Sequence, residues 1–334
     1  MELIGKTLFE LSGLSEKLGF SHHYGQILAR EMYRKKARSI MEVDELPLLF
    51  RAKLMEKYTF SLLSPLETLA SIDGTKKFLF RTAGGNPFET AYMPFGKRNT
   101  LCISTQSGCR MGCSFCYTGK MGLYENLSSS YIVSQVLSVP DYQAINRIVL
   151  MGMGEPLDNS KEVFKSLEIL TSQWGLAFGA ANITLSTVGI TPHLGQLIEL
   201  RMCNIAISLH SALPSIRKEI APAENKHPIA KTIEILKKYP VKKPLRLSFE
   251  YVVVPKANDS DEDAIAIHRL LKDLRCHVNV IPLNTSTANP ESIKAARAFQ
   301  RMLNNLGQAT TLRASRGQDI DAACGMMAEK ELKK

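Results

Sequence analysis

The sequence has no apolar run near the roughly 20 residues a membrane helix needs. Acidic residues interrupt the apolar part of its opening segment, MELIGKTLFELSGLSEK, so that segment does not read as a signal peptide and a cytoplasmic chain is expected. Internal repeats, low-complexity tracts and long linkers are absent, and with 45% hydrophobic and 22% charged residues the disordered and fibrous classes are excluded. Acidic residues are outnumbered, 32 against 42 basic, for a net charge of +10. That excess suits a polyanion such as nucleic acid, or serves solubility alone, and charge by itself does not separate the two. An even set of cysteines is also missing: there are seven, which argues against a disulfide framework and towards metal or redox chemistry. What is present is 334 residues, about two units by length and enough for a substantial core.

Residues 1 to about 75 read as helical. Tyr24, Ile27, Leu28 and Met32 follow the spacing of one apolar helix face. Arg30, Arg34, Lys35, Lys36 and Arg38 crowd its end, either as favourable charge at a helix C-terminus and a solvated face or as a phosphate-contacting patch. From residue 78 short strands are expected at 78–80 and 90–93, around the turn signal Gly84-Gly85-Asn86-Pro87. Apolar, β-branched runs then recur at 100–104, 147–151, 182–187, 204–209, 245–254 and 277–283, separated by helical-period segments at 130–138, 161–173, 192–201, 229–238, 261–273 and 291–306. This alternation predicts stacked βα units on a parallel sheet, curled into a full or partial barrel, with chemistry at the C-terminal ends of the strands.

After the first of these strands comes Cys109-Arg110-Met111-Gly112-Cys113-Ser114-Phe115-Cys116. Three thiolates spaced C-x3-C-x2-C can converge on one soft metal centre. A structural zinc site would want a fourth ligand, commonly from a second paired motif, and no second C-x2-C or H-x3-H pair exists in the sequence. This spacing after a barrel strand resembles the radical S-adenosylmethionine (SAM) superfamily, which implies a [4Fe-4S] cluster with one iron open to SAM and Phe115 packed against the cluster. The second strand runs into Met151-Gly152-Met153-Gly154-Glu155-Pro156, where glycine permits close backbone approach and Glu155 can accept from the SAM amino group. Ser186 and Thr187 end the third strand, Ser208-Leu209-His210 the fourth and Asn284 the sixth. Polar groups from four strands converge only if the barrel forms.

Further motifs narrow the resemblance. Cys102 lies on the first strand, Glu89 opens ETAYMP, and Arg316-Gly317-Gln318-Asp319-Ile320-Asp321-Ala322-Ala323-Cys324-Gly325 stands near the end. With MGMGEPLDN and SLH these closely resemble the RlmN/Cfr family of RNA adenine methyltransferases, over nearly the whole chain. The implied fold is a partial (βα)6 barrel at 100–310, with a helical RNA-binding unit at 1–75, connecting strands at 76–99 and a C-terminal strand and catalytic loop at 311–334. The implied chemistry answers a physical difficulty. The C2 and C8 atoms of adenine are electrophilic, so they cannot attack a methyl sulfonium directly. One SAM first methylates the Cys324 thiolate. A second is cleaved to a 5′-deoxyadenosyl radical that takes hydrogen from the S-methyl group, and the resulting carbon radical adds to the base. Loss of the ring proton to Glu89 and attack of Cys102 on the Cys324 sulfur release the methylated RNA and leave a disulfide for an external thiol to reduce.

The same resemblance implies that SAM is used twice per turnover and bound by Gly154, Glu155, Ser186, Ser208, Leu209, His210 and Asn284. It implies an electron donor such as flavodoxin or ferredoxin, a monomer without membrane contact, and rRNA or tRNA as substrate. Arg313 and Arg316 beside the catalytic loop join the N-terminal basic cluster as phosphate contacts. Pro156 resembles the RlmN branch, which methylates C2, rather than Cfr, which methylates C8. Departures at 117–120, 221–225 and 285–292 leave room for another RNA target. A noncatalytic iron–sulfur RNA-binding protein is the reading from a different class.

Overall fold

The computed structural model describes residues 2–35, 37, 39–283, 290–313, 316–320 and 325–333. Three helices open the chain: α1 (Leu8–Lys17), α2 (His23–Ala29), which runs into a π-helical turn at Arg30–Arg34, and α3 (Leu48–Lys57). Thr7 and Glu10 form a capping box on α1, satisfying two otherwise orphaned N–H groups. Leu11, Leu14, Ile27, Leu28, Met32, Phe50 and Leu54 close a small core, with Tyr24 at its edge. Helical structure ends at Lys57, earlier than the sequence suggested. Residues 67–70 instead form β1 (Glu67–Ala70), hydrogen-bonded to β2 (Lys76–Arg81), because Gly74 at φ 83° lets the chain fold back tightly.

The chain continues through β3 (Pro87–Phe95), β4 (Arg98–Cys102), β5 (Gln106–Cys109), α4 (Tyr117–Lys120), β6 (Gly122–Asn126), α5 (Ser129–Ser138), β7 (Arg147–Leu150), α6 (Ser160–Thr171), β8 (Ile183–Thr187), α7 (Thr191–Leu200) and β9 (Asn204–Ser208). Then follow α8 (Pro214–Ile220), α9 (Ile229–Lys238), β10 (Leu247–Val253), α10 (Asp261–Leu271), β11 (His277–Pro282), α11 (Pro290–Asn305), β12 (Thr310–Leu312) and α12 (Met326–Leu332). The six expected strands and six expected helices of the barrel all form, within a few residues of their expected ends.

One ten-stranded sheet has the order β1-β2-β3-β4-β7-β8-β9-β10-β11-β12. Pairing is antiparallel from β1 to β4 and parallel from β4 onward. β12 adds a parallel strand beyond the six, and β5–β6 form a separate hairpin. The sheet is an open barrel whose outward faces are apolar: Ile148, Leu150, Ile183, Leu185, Ile205, Ile207, Phe249 and Tyr251 are buried in the main core. With the side-chain period of two, the opposite face carries Thr184, Ser186, Asn204, Ser208, Ser248, Glu250 and Asn279. A closed barrel of this size usually fills its interior with layers of branched apolar side chains. Here the interior is polar, as suits a ligand chamber.

The N-terminal helices seat on α5 and α6, whose Val133, Leu137 and Ile169 complete the smaller core. Ser129 Oγ donates to the Gly5 carbonyl at 2.9 Å, and Lys165 pairs with Glu10 at 2.7 Å. At the far side, the segment after β12 reaches the β1–β2 turn: Gly317 N–H donates to Asp73 at 3.0 Å, and Ser71 Oγ and Ile72 N–H donate to Asp319 at 2.5 and 3.1 Å. It thereby links the two edges of the sheet. Among the described residues no helix is long and apolar enough to cross a membrane.

Candidate active site

The site is built at the C-terminal ends of the parallel strands and on the separate β5–β6 hairpin. Cys109 ends β5, and Cys113 and Cys116 follow in the loop before α4. The sequence reading missed this hairpin because Gln106-Ser107-Gly108-Cys109 carries no β-branched or aromatic residue. The loop is tied down where Ser114 N–H donates to the Ile220 carbonyl at 2.9 Å. Gly119 makes room for it, since a Cβ there would approach the Cys113 backbone nitrogen to 3.0 Å.

Burial pushes the Cys109 and Cys113 thiols up to about 12, and the neighbouring cysteines and Glu155 add to the shift. These two thiols and Cys116 are a donor set whose protons a soft, positively charged iron–sulfur cluster can replace. Among the described residues no three His, Cys, Asp or Glu side chains are gathered for one metal ion; a four-iron cluster, bridged by its own sulfides, takes its thiolates at wider spacing. The donor set fits such a cluster. Phe115 turns its edge to His210, with ring centroids 4.6 Å apart.

Beneath this loop, Gln106 organises the turn after β7. Its Nε2 donates to Asn126 at 2.7 Å and Asp158 at 2.9 Å, and its Oε1 accepts the Glu155 N–H at 2.8 Å. Gly154 sits at φ 103°, and a Cβ there would fall 2.6 Å from Gln106 Cβ. Gly154→Ala is therefore expected to cost at least about 2 kcal/mol, through left-handed strain and overpacking together. Urea unfolding measures it, and a loss below about 0.5 kcal/mol would contradict this account of Gly154.

Glu155 is buried. Its Oε1 accepts from Thr187 Oγ1 at 2.5 Å and Leu157 N–H at 3.1 Å, and its Oε2 from Val188 N–H at 2.9 Å. A carboxylate has about four lone-pair sites, so one on Oε2 remains for an incoming ammonium. Burial lifts its pKa from 4.5 to about 7, so the charge is completed best by a bound cation. Across that range the native carboxyl holds its proton more tightly than the unfolded one, and stability falls as pH rises from 4.5 towards 7. His210 works in the opposite sense. Burial drops its ring from 6.5 to about 3, so stability is lost as pH falls below 6.5. Comparing the wild type with Glu155→Gln isolates the carboxyl: between pH 4.5 and 8 the wild type is expected to lose about 3 kcal/mol relative to the variant. Unfolding curves at several pH values check this, and a difference that does not change with pH would refute it.

Ser186 and Ser208 hydroxyls lie 3.4 Å apart on β8 and β9. Leu209 buries its side chain in the core, and its backbone N–H and carbonyl are engaged by Glu250 and Arg217. His210, at φ 56°, accepts Val252 N–H on Nδ1 at 3.2 Å, which leaves a neutral ring with Nε2–H as its donor. Arg217, which no sequence motif marked, is fully buried and ties these ends together. It donates to the carbonyls of Leu209 at 2.9 Å, Ser208 at 3.0 Å and Val188 at 3.4 Å, and pairs with Glu224.

The register sets Ala91 opposite Cys102 and Cys102 opposite Val149, a residue of the lumen wall. Cys102 therefore faces the lumen, and Glu89, two residues from Ala91, shares that face. Glu89 is buried. Its Oε2 pairs with Lys77 at 2.9 Å and accepts Gly325 N–H at 2.8 Å, while its Oε1 accepts Ala328 N–H at 2.7 Å. Gly325 follows Cys324 directly, so the loop's C-terminal anchor is docked on Glu89. Cys324 itself, Asn284, Lys36 and Arg38 lie outside the described residues.

The basic residues are less uniform than expected. Arg30 and Lys35 both pair with Glu31 and Glu45, and Arg34 lies 3.5 Å from the Gln173 carbonyl. Arg313 reaches across the lumen to Met151, and Arg316 stacks over the Phe95 ring at 4.4 Å.

The radical SAM superfamily profile matches residues 103–267. A probable dual-specificity RNA methyltransferase RlmN from Bacteroides thetaiotaomicron is 41% identical over 329 residues, covering 98% of this chain and 95% of that one. The chain belongs to the RlmN family of the radical SAM superfamily. Another RlmN relative, from Clostridium botulinum, is 41% identical over 306 residues, 90% of this chain and 88% of its own length. The crystal structure of a radical SAM methyltransferase from Sphaerobacter thermophilus superposes with a TM-score of 0.89 at 37% identity, over 97% of this chain and 98% of the other. RlmN membership accounts for the open barrel, the three-cysteine loop and the polar lumen together.

Proposed function

We propose that this RlmN-family protein methylates C2 of an adenine in 23S rRNA at the peptidyl-transferase centre, and adenine 37 of tRNA, through a methylated Cys324 that Cys102 resolves. The observation that carries the reading is the docking of Gly325, the neighbour of Cys324, on Glu89, on the lumen face shared with Cys102. RNA as substrate, and two RNA targets, are supported by the dual-specificity relatives. C2 rather than C8 is supported by Pro156 after Glu155.

In this reading Cys109, Cys113 and Cys116 hold a [4Fe-4S] cluster, and Glu155, Ser186, Ser208, His210 and Asn284 hold SAM, with Gly154 and the Leu209 backbone shaping the pocket. When bound, cluster and SAM supply the electron, the methyl group and the radical. The Cys324 thiolate takes the methyl group and later carries its carbon to the base. Among the described residues three donors reach Glu89, which leaves one lone pair on Oε1; it receives the ring proton there, while Lys77 holds the carboxylate in place. The base adduct, still one electron in excess, gives that electron back to the cluster that would be bound by Cys109, Cys113 and Cys116. Cys102 then attacks the Cys324 sulfur: an S–S bond forms, the S–C bond breaks, and its electron pair stays on the transferred carbon, which takes the Cys102 thiol proton to become the methyl group.

A flavodoxin or ferredoxin and a thiol reductant serve a cytoplasmic monomer. The unit at 1–75, with Lys36 and Arg38 among its cations, together with Arg313 and Arg316, guides RNA phosphates. The target base leaves its stack to enter the lumen. Protein reconstituted anaerobically with iron and sulfide, given SAM, a reductant and RNA, is expected to yield 2-methyladenosine by nucleoside mass spectrometry. Finding 8-methyladenosine, or no methylation, would contradict the reading.

A further inference from the structure

Below the cofactor residues the lumen holds a cavity of about 330 Å³, walled by β7 to β12. Glu250 on β10 faces it and is only 4% exposed. Its Oε1 is committed, accepting Ser248 Oγ at 3.0 Å and Asn279 Nδ2 at 2.8 Å. Asn279 cannot turn away, because its own Oδ1 accepts the Thr311 hydroxyl. Glu250 Oε2 is buried and, among the described residues, accepts no hydrogen bond. Arg313 Nη1 stands 3.9 Å from it, beyond hydrogen-bond range. A buried carboxylate oxygen without a donor is costly, and one aimed into a cavity marks the place of a donor that arrives with a ligand.

The same cavity is lined by Val149, the residue paired with Cys102. It thus extends from the strand position of the resolving cysteine to Glu250. A purine whose C2 edge lies towards Cys102 can present its six-position substituent to the far wall. We propose that Glu250 reads the exocyclic amino group of the target adenine and so sets the base specificity of the enzyme, an inference that rests on the function proposed above. Adenine offers N6–H donors to Glu250 Oε2, whereas guanine and hypoxanthine would set a carbonyl oxygen against it. A site built to take a hydrogen bond discriminates strongly because the mismatched base leaves its buried group unpaired.

SAM also carries an adenine amino group, so the test separates the two sources. Reconstituted holoenzyme is assayed on RNA bearing adenine or hypoxanthine at the target position, and SAM affinity is measured separately by equilibrium dialysis. Wild-type kcat/KM is expected to favour adenine by about 10–100-fold, the worth of one hydrogen bond to a charged group. Glu250→Gln, whose amide can turn to donate, is expected to accept hypoxanthine and bring that ratio within about threefold, with SAM affinity unchanged. A gain of the wrong substrate is not a consequence of misfolding. A ratio preserved in the variant, or a drop in SAM affinity that matches the drop in rate, overturns the proposal and leaves the adenine methyltransferase reading standing. A wild type that methylates no RNA overturns both.

Discussion

Arg217→Met is expected to lose about 3–5 kcal/mol of folding stability, the range for breaking a buried ion pair from one side. The guanidinium has no solvent exposure and its five N–H donors serve groups from separate elements. Without it, among the described residues, the Glu224 carboxylate keeps only the Ile229 N–H at 2.9 Å, and the carbonyls of Val188, Ser208 and Leu209 lose the Arg217 donor. Those carbonyls lie at the ends of β8 and β9, beside Glu155 and Ser208, so cofactor affinity should fall with stability. Arg217→Met combined with Glu224→Leu should recover part of the loss, since no unpaired charge then remains. Urea unfolding of the single and double variants reads both effects. A single-variant loss under 1 kcal/mol would mean that Arg217 does not organise these strand ends.

The other large effect belongs to the cysteine pair. Cys102→Ala is expected to carry out methylene transfer and then stop, holding RNA covalently on Cys324, because the thiol that should displace that sulfur from carbon is gone. Denaturing electrophoresis should show a protein–RNA species that nuclease trims but reducing agent does not split. Cys324→Ala should give neither adduct nor product. Repeated release of methylated RNA by Cys102→Ala would remove Cys102 from the resolving step. Lys77, Gly325 and the α12 backbone hold the Glu89 carboxylate, as the proposed role of proton acceptor requires.

Much of the barrel was legible because its strands are apolar on the outer face and its helices keep a regular period. The three-cysteine loop was legible as well, since ligand spacing is local. What stayed hidden depends on distant partners. Arg217 falls in no motif and in no expected helix; its burial rests on Glu224 and on carbonyls at the ends of β8 and β9. Glu89 stands out only through the family resemblance, just ahead of the strand expected at 90–93, and its contacts with Lys77 and Gly325 come from positions 12 and 236 residues away in sequence. Arg30 and Lys35 read as a phosphate patch, yet Glu45, supplied by the next turn of chain, shares them. The polar inner face was present in runs such as Asn204-Ile205-Ala206-Ile207-Ser208. Read only as buried strands, those runs did not disclose a hollow lumen.

The central claim, carbon methylation of adenine through Cys324, is tested most directly in RNA from cells. Nucleoside mass spectrometry of rRNA and tRNA, with and without the gene, reads the target and the ring position together. Loss of 2-methyladenosine on deletion, restored by the wild-type gene but not by Cys324→Ala, is the predicted result. Levels of 2-methyladenosine that do not change on deletion, or restoration by Cys324→Ala, would contradict it.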